Sequence, residues 1–287
     1  MDVVFRRVVI VFLASQLFAC ARAWADERRP DLVTIRSGEA TLHAHVWRPA
    51  GRGPFPAILV NHGSGRTREQ LGRLGPYEDQ SETLGPVFAR HGYLCVFLFR
   101  RGVGPSADQG ESAIDAMDRE LAAHGQSARN ALQLELLEGR ELSDARAALA
   151  FVRRLPDVDA RRIAIVGHSF GGSLSVLLAE REPALRAAVL FSTAGYSWDL
   201  SPQLRARLLE AVSRTTVPFF FLHAENDYST NSGKSLDAEL GTRGRRHQLK
   251  IYPPVGKTPD EGHDFPLNSV RTWEPDVFAF LDLCMRK

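Results

Sequence analysis

The chain has 287 residues, 44% of them hydrophobic and 24% charged, with a formal net charge of +2. That is the balance of an ordinary soluble globular protein, long enough for one large α/β domain or two small ones. A charge this near balance argues against a polyanion-binding protein, because phosphate contacts need clustered excess basic charge.

Residues 1–25 read as an export signal. Arg6 and Arg7 supply a basic start, and a mostly apolar run extends from Val8 to Phe18. Ala21-Arg22-Ala23 and Ala23-Trp24-Ala25 are small-residue cleavage sites, and the run is too short for a comfortable membrane span. Leu17-Phe18-Ala19-Cys20 resembles a bacterial lipobox with a poor fit at Phe18, so lipidation of Cys20 is the minor alternative. Cleavage near Ala25 removes Arg6, Arg7, Arg22 and Asp2, which leaves basic and acidic side chains in balance. The expectation is an exported protein, periplasmic or secreted, with no stable membrane insertion afterwards. Only Cys95 and Cys284 then remain, too few for a disulfide framework. Cys95 lies in an apolar strand and reads as a small core residue. Whether it pairs with Cys284 is left open.

Asp31 to Ser37 and Thr41 to Arg48 read as two strands of a hairpin. His43 and His45 share one face of the second, with no third metal ligand nearby in sequence. Ala57-Ile58-Leu59-Val60 is a continuous apolar run, as in a strand buried on both faces. It ends in Asn61-His62-Gly63-Ser64-Gly65, where the Ser64 N–H is a candidate oxyanion donor. A polar loop follows with Arg66, Arg68 and Arg73. Ser81 to His91 reads as a helix, with Ser81 as its cap and Gly92 as its stop. Tyr93 to Phe99 is another buried strand, ending in Arg100-Arg101-Gly102-Val103-Gly104.

Residues 105–140 form a helical insertion. Apolar residues recur at three- and four-residue steps and Gly125 divides them, which predicts two short helices and a candidate lid. An amphipathic helix follows from Ser143 to Leu155.

The chain is organised around the next stretch. Ile163-Ala164-Ile165-Val166 ends in Gly167-His168-Ser169-Phe170-Gly171, and a helix-compatible segment follows at once. A strand-turn-helix context gives a G-x-S-x-G match its meaning. The turn is sharp enough that side chains two before and two after Ser169 would collide, and glycines remove them. Ser169 becomes a candidate nucleophile, and the Phe170 N–H a second oxyanion donor at a helix start.

Ala187 to Phe191 and Val217 to His223 read as strands, with a helix from Ser201-Pro202 to about Thr215 between them. Asp227 lies on the loop after the second strand, with Glu225 in reserve as an acid. His247 to Tyr252 is the last strand, and Val270 to Met285 the last helix. The loop between them carries Asp260 to Phe265, with His263 as the candidate general base. Fifty-eight residues separate Ser169 from Asp227, and 36 separate Asp227 from His263. That leaves room for strand-helix units between the three.

These segments together resemble the α/β-hydrolase superfamily, in its dienelactone hydrolase-like branch, with features of the prolyl-oligopeptidase-type catalytic domains. The resemblance rests on residues 60–65, 100–104, 167–172, 225–227 and 262–265, and it covers most of the chain from Val33 onward. The order Ser169, Asp227, His263 is the order of that superfamily. It implies one α/β domain over residues 26–287, with a mostly parallel central sheet and helices on both faces. It also implies a serine hydrolase acting on a small-molecule ester without metal or cofactor. Dienelactone hydrolases proper carry a cysteine nucleophile, whereas this elbow carries Ser169. That departure favours a general ester or related acyl substrate, and the export signal argues the same way. Oligopeptidase-like, thioesterase-like and non-catalytic binding readings stay open at this point, as do the oligomeric state and any contact of Asn61, Arg101 or the Arg66–Arg73 loop with an anionic substrate.

Overall fold

A computed structural model describes residues 29–65, 69, 72 and 75–285. The expected export signal at residues 1–25, with Cys20, and the loop arginines Arg66, Arg68 and Arg73 lie outside the described residues.

Eight strands form one sheet. They are β1 (Asp31–Ser37), β2 (Ala40–Trp47), β3 (Phe55–Asn61), β4 (Leu94–Phe99), β5 (Val158–His168), β6 (Ala187–Phe191), β7 (Phe219–Ala224) and β8 (His247–Tyr252). Their order across the sheet is β1-β2-β4-β3-β5-β6-β7-β8. The hairpin β1–β2 runs antiparallel and joins β4 antiparallel, and every later pairing is parallel. Each parallel pairing needs a crossover, and helices supply it. Of these, α1 spans Tyr77–Arg90, α2 Ala113–Glu138, α3 Arg140–Arg154, α4 Phe170–Arg181, α5 Pro202–Arg214 and α6 Asn231–Thr242. Two short helices, α7 (Pro259–His263) and α8 (Phe265–Asn268), precede the last, α9 (Val270–Met285).

The burial patterns explain the strand composition. Strands β4, β6 and β7 are buried at every residue, and their sequences Leu-Cys-Val-Phe-Leu-Phe, Ala-Ala-Val-Leu-Phe and Phe-Phe-Phe-Leu-His-Ala are apolar almost throughout. A strand covered on both faces has no polar side to offer. Each fully buried Phe of that run contributes about 2–3 kcal/mol by leaving water. β2 alternates instead, with Leu42, Ala44 and Val46 inward. His45 is packed rather than free, with Nδ1 3.0 Å from Ser81 Oγ and its ring against Phe99. Cys95 and Cys284 are both buried and both free thiols.

Two expectations need correction. Ser81 does not cap a helix. The helix starts four residues earlier, after Pro76, with Glu78 and Asp79 in its first turn, where carboxylates favour the positive end of the helix dipole. Ser81 is fully buried inside it, and its Oγ accepts a hydrogen bond from Trp47 Nε1 at 3.0 Å. His263 does not lie in an open loop. It closes α7, which opens with a capping box between Thr258 and Glu261.

The segment at 105–140 contains α2, with Gly125 at φ 82 and ψ −175 separating two helical halves. Ser112 caps the first half by accepting from the Asp115 N–H. Ala113, Ile114, Ala116 and Met117 of that half are buried, and so are Arg129, Asn130 and Gln133 of the second.

Candidate active site

β5 delivers the chain to a turn that only its neighbours permit. Ser169 follows the strand at φ 55 and ψ −114, a backbone state rare for a residue with a side chain. Hydrogen bonds hold it there: its N–H donates to Phe191 O at 2.9 Å, and its carbonyl accepts from Ala194 N at 3.3 Å. The flanking glycines are required by contact. A Cβ on Gly167 would lie 2.5 Å from the Gly171 carbonyl, and one on Gly171 would collide with the carbonyls of Asn61 and His62.

The structure brings Ser169, Asp227 and His263 together. His263 Nε2 lies 2.8 Å from Ser169 Oγ, and His263 Nδ1 lies 2.7 Å from Asp227 Oδ1. Asp227 stands just past the end of β7, and its Oδ1 also accepts from the Tyr228 N–H at 2.7 Å. Glu225, the reserve acid, is exposed. Ser64 and Phe170 line the same cleft as Ser169 and His263. Phe170 is the first residue of α4, so its N–H has no acceptor within the helix.

The electrostatics suit proton transfer. Burial pushes the Asp227 carboxyl up, but the His263 charge and hydrogen bonds from both His223 and His263 outweigh it and hold the group well below the carboxylate range. Burial pulls His263 down, yet Asp227, with smaller help from Asp264 and Asp260, lifts it above the ordinary histidine value of 6.5. Such a histidine can take the Ser169 proton and hold it as imidazolium against Asp227.

The oxyanion side is braced from beneath. Arg100 Nη1 donates to the His62 carbonyl at 2.8 Å, and its guanidinium lies 5.3 Å from the centre of the Phe170 ring. Glu141, at the start of α3, takes Arg100 Nε at 2.8 Å in a buried pair. One arginine thus touches the segments that carry both candidate donors.

Asn61 and Arg101 do not face the cleft. Asn61 Nδ2 is given to Ser175 Oγ at 2.9 Å, and Arg101 is held by both oxygens of Asp144, each at 2.8 Å. The cleft holds another arginine, which the sequence did not single out. Arg129 comes from the second half of α2 and is only 2% exposed. It makes a 3.4 Å hydrogen bond to Gln133 Oε1, lies over the face of Tyr196, 5.6 Å away, and feels the more distant Asp118 carboxylate. Among the described residues no carboxylate reaches it within ion-pair distance.

His168, His263 and Asp264 place potential metal-ligating atoms within 4.8 Å of one another. Both ring nitrogens of His263 already have partners in Ser169 and Asp227, so this group is poorly suited to an ion.

Residues 43–265 match the dienelactone hydrolase family. The chain belongs to the dienelactone hydrolase family. A serine at the candidate nucleophile position is consistent with that family, and its fold is the α/β-hydrolase fold. A dienelactone hydrolase from Anabaena variabilis superposes with a TM-score of 0.58 at 16% identity, covering 90% of this chain and all of that one. An acylaminoacyl peptidase from Pyrococcus horikoshii superposes at 0.62 and 18% identity, over 90% of this chain and 42% of that one. Among curated proteins, the quorum-quenching protein AidA of Acinetobacter baumannii is 26% identical over 157 residues, 55% of this chain and 41% of its own length. Platelet-activating factor acetylhydrolase of Cavia porcellus is 20% identical over 224 residues, 70% of this chain and 47% of its own. The chain thus spans less than half the length of the curated relatives it matches.

Proposed function

We propose that this family member is a serine esterase working through an acyl-enzyme. The observation that carries the reading is the continuous hydrogen-bond line Ser169–His263–Asp227, at 2.8 and 2.7 Å, on a strained elbow. His263 Nε2 takes the Ser169 proton as Oγ attacks the ester carbonyl. The N–H groups of Phe170 and Ser64 receive the developing oxyanion, each contributing on the order of 3 kcal/mol of transition-state stabilisation. The tetrahedral intermediate collapses, the carbon–oxygen bond to the alcohol breaks, and His263 protonates that alcohol. Water then repeats the route and frees the acid.

The lining of the cleft supports a short, polar acyl group. Arg129, Gln133 and Tyr196 face the space beside Ser169. A buried guanidinium that no carboxylate among the described residues reaches within ion-pair distance favours substrates that bring an anionic or strongly polar oxygen.

Residues 1–25 support a second statement: the protein is exported, periplasmic or secreted, and the signal is removed near Ala25. Sizing the protein from the extracytoplasmic fraction and reading its N-terminus tests this, and an intact Met1 in the cytoplasm contradicts it.

The test of the activity is hydrolysis of p-nitrophenyl esters of increasing acyl length by the protein and by Ser169→Ala. The expected result is a preference for short acyl groups and a loss of several orders of magnitude in the variant. Unchanged activity in Ser169→Ala contradicts the assignment.

A further inference from the structure

Asp227 carries two histidines. Its Oδ1 faces His263, and its Oδ2 accepts from Nδ1 of His223 at 2.8 Å. The two carboxylate oxygens are therefore taken by different rings, and both the His223 and Asp227 side chains are completely buried. His223 sits four residues before Asp227 in β7, and its ring is wedged against α6. A Cβ on Gly233 would stand 2.7 Å from two ring atoms, and Ser232 Oγ lies 3.5 Å from Nε2. Such a ring has no room to turn.

We infer that His223 is a positioning residue for the triad, fixing which oxygen of Asp227 meets His263 and how much of its charge His263 feels. This rests on the serine hydrolase reading and deepens it. The tautomer follows from the partners. A carboxylate only accepts, so Nδ1 carries a proton, and Nε2 lies 3.5 Å from the Ser232 hydroxyl. The hydrogen bond fixes the carboxylate in place with its Oδ1 turned toward His263. The hydrogen bond also draws electron density toward Oδ2 and away from Oδ1. Without it, Oδ1 is more basic and grips the His263 proton harder.

Other ionisable groups surround the pair. Asp264 and Asp260 act on His263 from the last loop, and His168 faces it from the elbow. The Tyr228 ring packs 4.9 Å from the His263 ring. None of them touches Asp227 Oδ2 through a hydrogen bond that the described residues show, so a change at His223 is readable separately.

The test uses the rate of Ser169 labelling by a fluorophosphonate as a function of pH, which needs no knowledge of the natural substrate. His223→Phe removes the donor. His223→Asn keeps one, because the Asn amide nitrogen takes the place of Nδ1 on the same Cβ–Cγ stem. We expect His223→Phe to move the acid limb of the labelling profile upward by about half a pH unit or more and to slow labelling about tenfold or more. His223→Asn should restore the limb. A purely structural role changes thermal stability but leaves the limb where it is. An unmoved limb in a folded His223→Phe overturns the inference, and so does an equal shift in both variants. A second measurement needs no variant. Nitrogen-15 spectra of the histidine rings in the unmodified protein should show a proton on His223 Nδ1 near neutral pH, and a bare Nδ1 overturns the inference. A wild-type protein that resists labelling at every pH contradicts the serine hydrolase reading instead.

Discussion

His168, the residue before the candidate nucleophile, donates from Nε2 to the backbone carbonyl of His263 at 3.0 Å. Ser192 Oγ donates to the same carbonyl at 2.8 Å. The elbow thus holds the candidate base by its main chain as well as by the Ser169 hydroxyl. Burial, together with the nearby His263, pushes the His168 pKa down to about 3, so its ring stays neutral and the Nε2 proton stays in place across the working range. His168→Ala should lower kcat by about 10- to 100-fold with little change in KM, because small displacements of a reacting group are costly. His168→Gln, whose amide nitrogen reaches the same carbonyl, should recover most of that loss. Steady-state kinetics on a p-nitrophenyl ester check both.

Asp264 follows the candidate base directly and is 4% exposed. Burial raises its pKa from 3.8 to about 6, against the opposing pull of His263. The folded protein therefore binds more protons than the unfolded chain between those values, and stability falls as pH rises through that window. Above pH 6 the buried carboxylate costs on the order of 2–3 kcal/mol. Asp264→Asn should raise the thermal midpoint at pH 8 and leave it nearly unchanged at pH 4. The same substitution removes a negative charge that raises the His263 pKa, so the acid limb of activity should move down. Melts at the two pH values and a pH–rate profile test the two halves.

Gly195 passes close to the candidate triad. A Cβ there would lie 2.7 Å from Asp227 Oδ1 and 3.0 Å from His263 Nδ1, inside their hydrogen bond. Gly195→Ala should cost tenfold or more in kcat/KM by spreading that pair. Fluorophosphonate labelling of the folded variant should slow in parallel.

Arg129 is predicted to set substrate charge. Arg129→Met should raise KM for an ester with a free carboxylate on its acyl part about tenfold or more, and leave a neutral ester of equal length nearly unchanged. Stability should not fall, since no buried carboxylate partner among the described residues is left behind. Parallel kinetics on p-nitrophenyl hemisuccinate and p-nitrophenyl butyrate, with a melt of the variant, read both effects.

The sequence carries the strands and the elbow because their causes are local. Apolar runs such as Ala57–Val60 and Ile163–Val166 must be buried, and Gly167 and Gly171 mark a turn that tolerates no side chains. Ser169, Asp227 and His263 stand out by their place after strands. His223 and Arg129 do not. His223 looks like the end of an apolar strand, and its meaning depends on the carboxylate that the next turn folds back to it. Arg129 sits in an irregular helical segment whose surface and cleft faces cannot be told apart until α2 is packed. Arg101 and Asn61 drew attention by position alone, and their partners Asp144 and Ser175 come from distant helices. Ser81 has the chemistry of a cap, yet α1 starts after Pro76, with the acidic pair Glu78 and Asp79 in its first turn. The capping box Thr258–Glu261 was legible in the pattern Thr-Pro-Asp-Glu and would have placed His263 on a helix.

The most direct measurement of the central claim is peptide mapping of the protein after exposure to a fluorophosphonate, alone and with His263→Ala alongside. The account predicts one adduct per chain, on Ser169, formed within minutes by the unmodified protein and slowed by at least a thousandfold in the variant. An adduct on another residue, or equal labelling without His263, contradicts it.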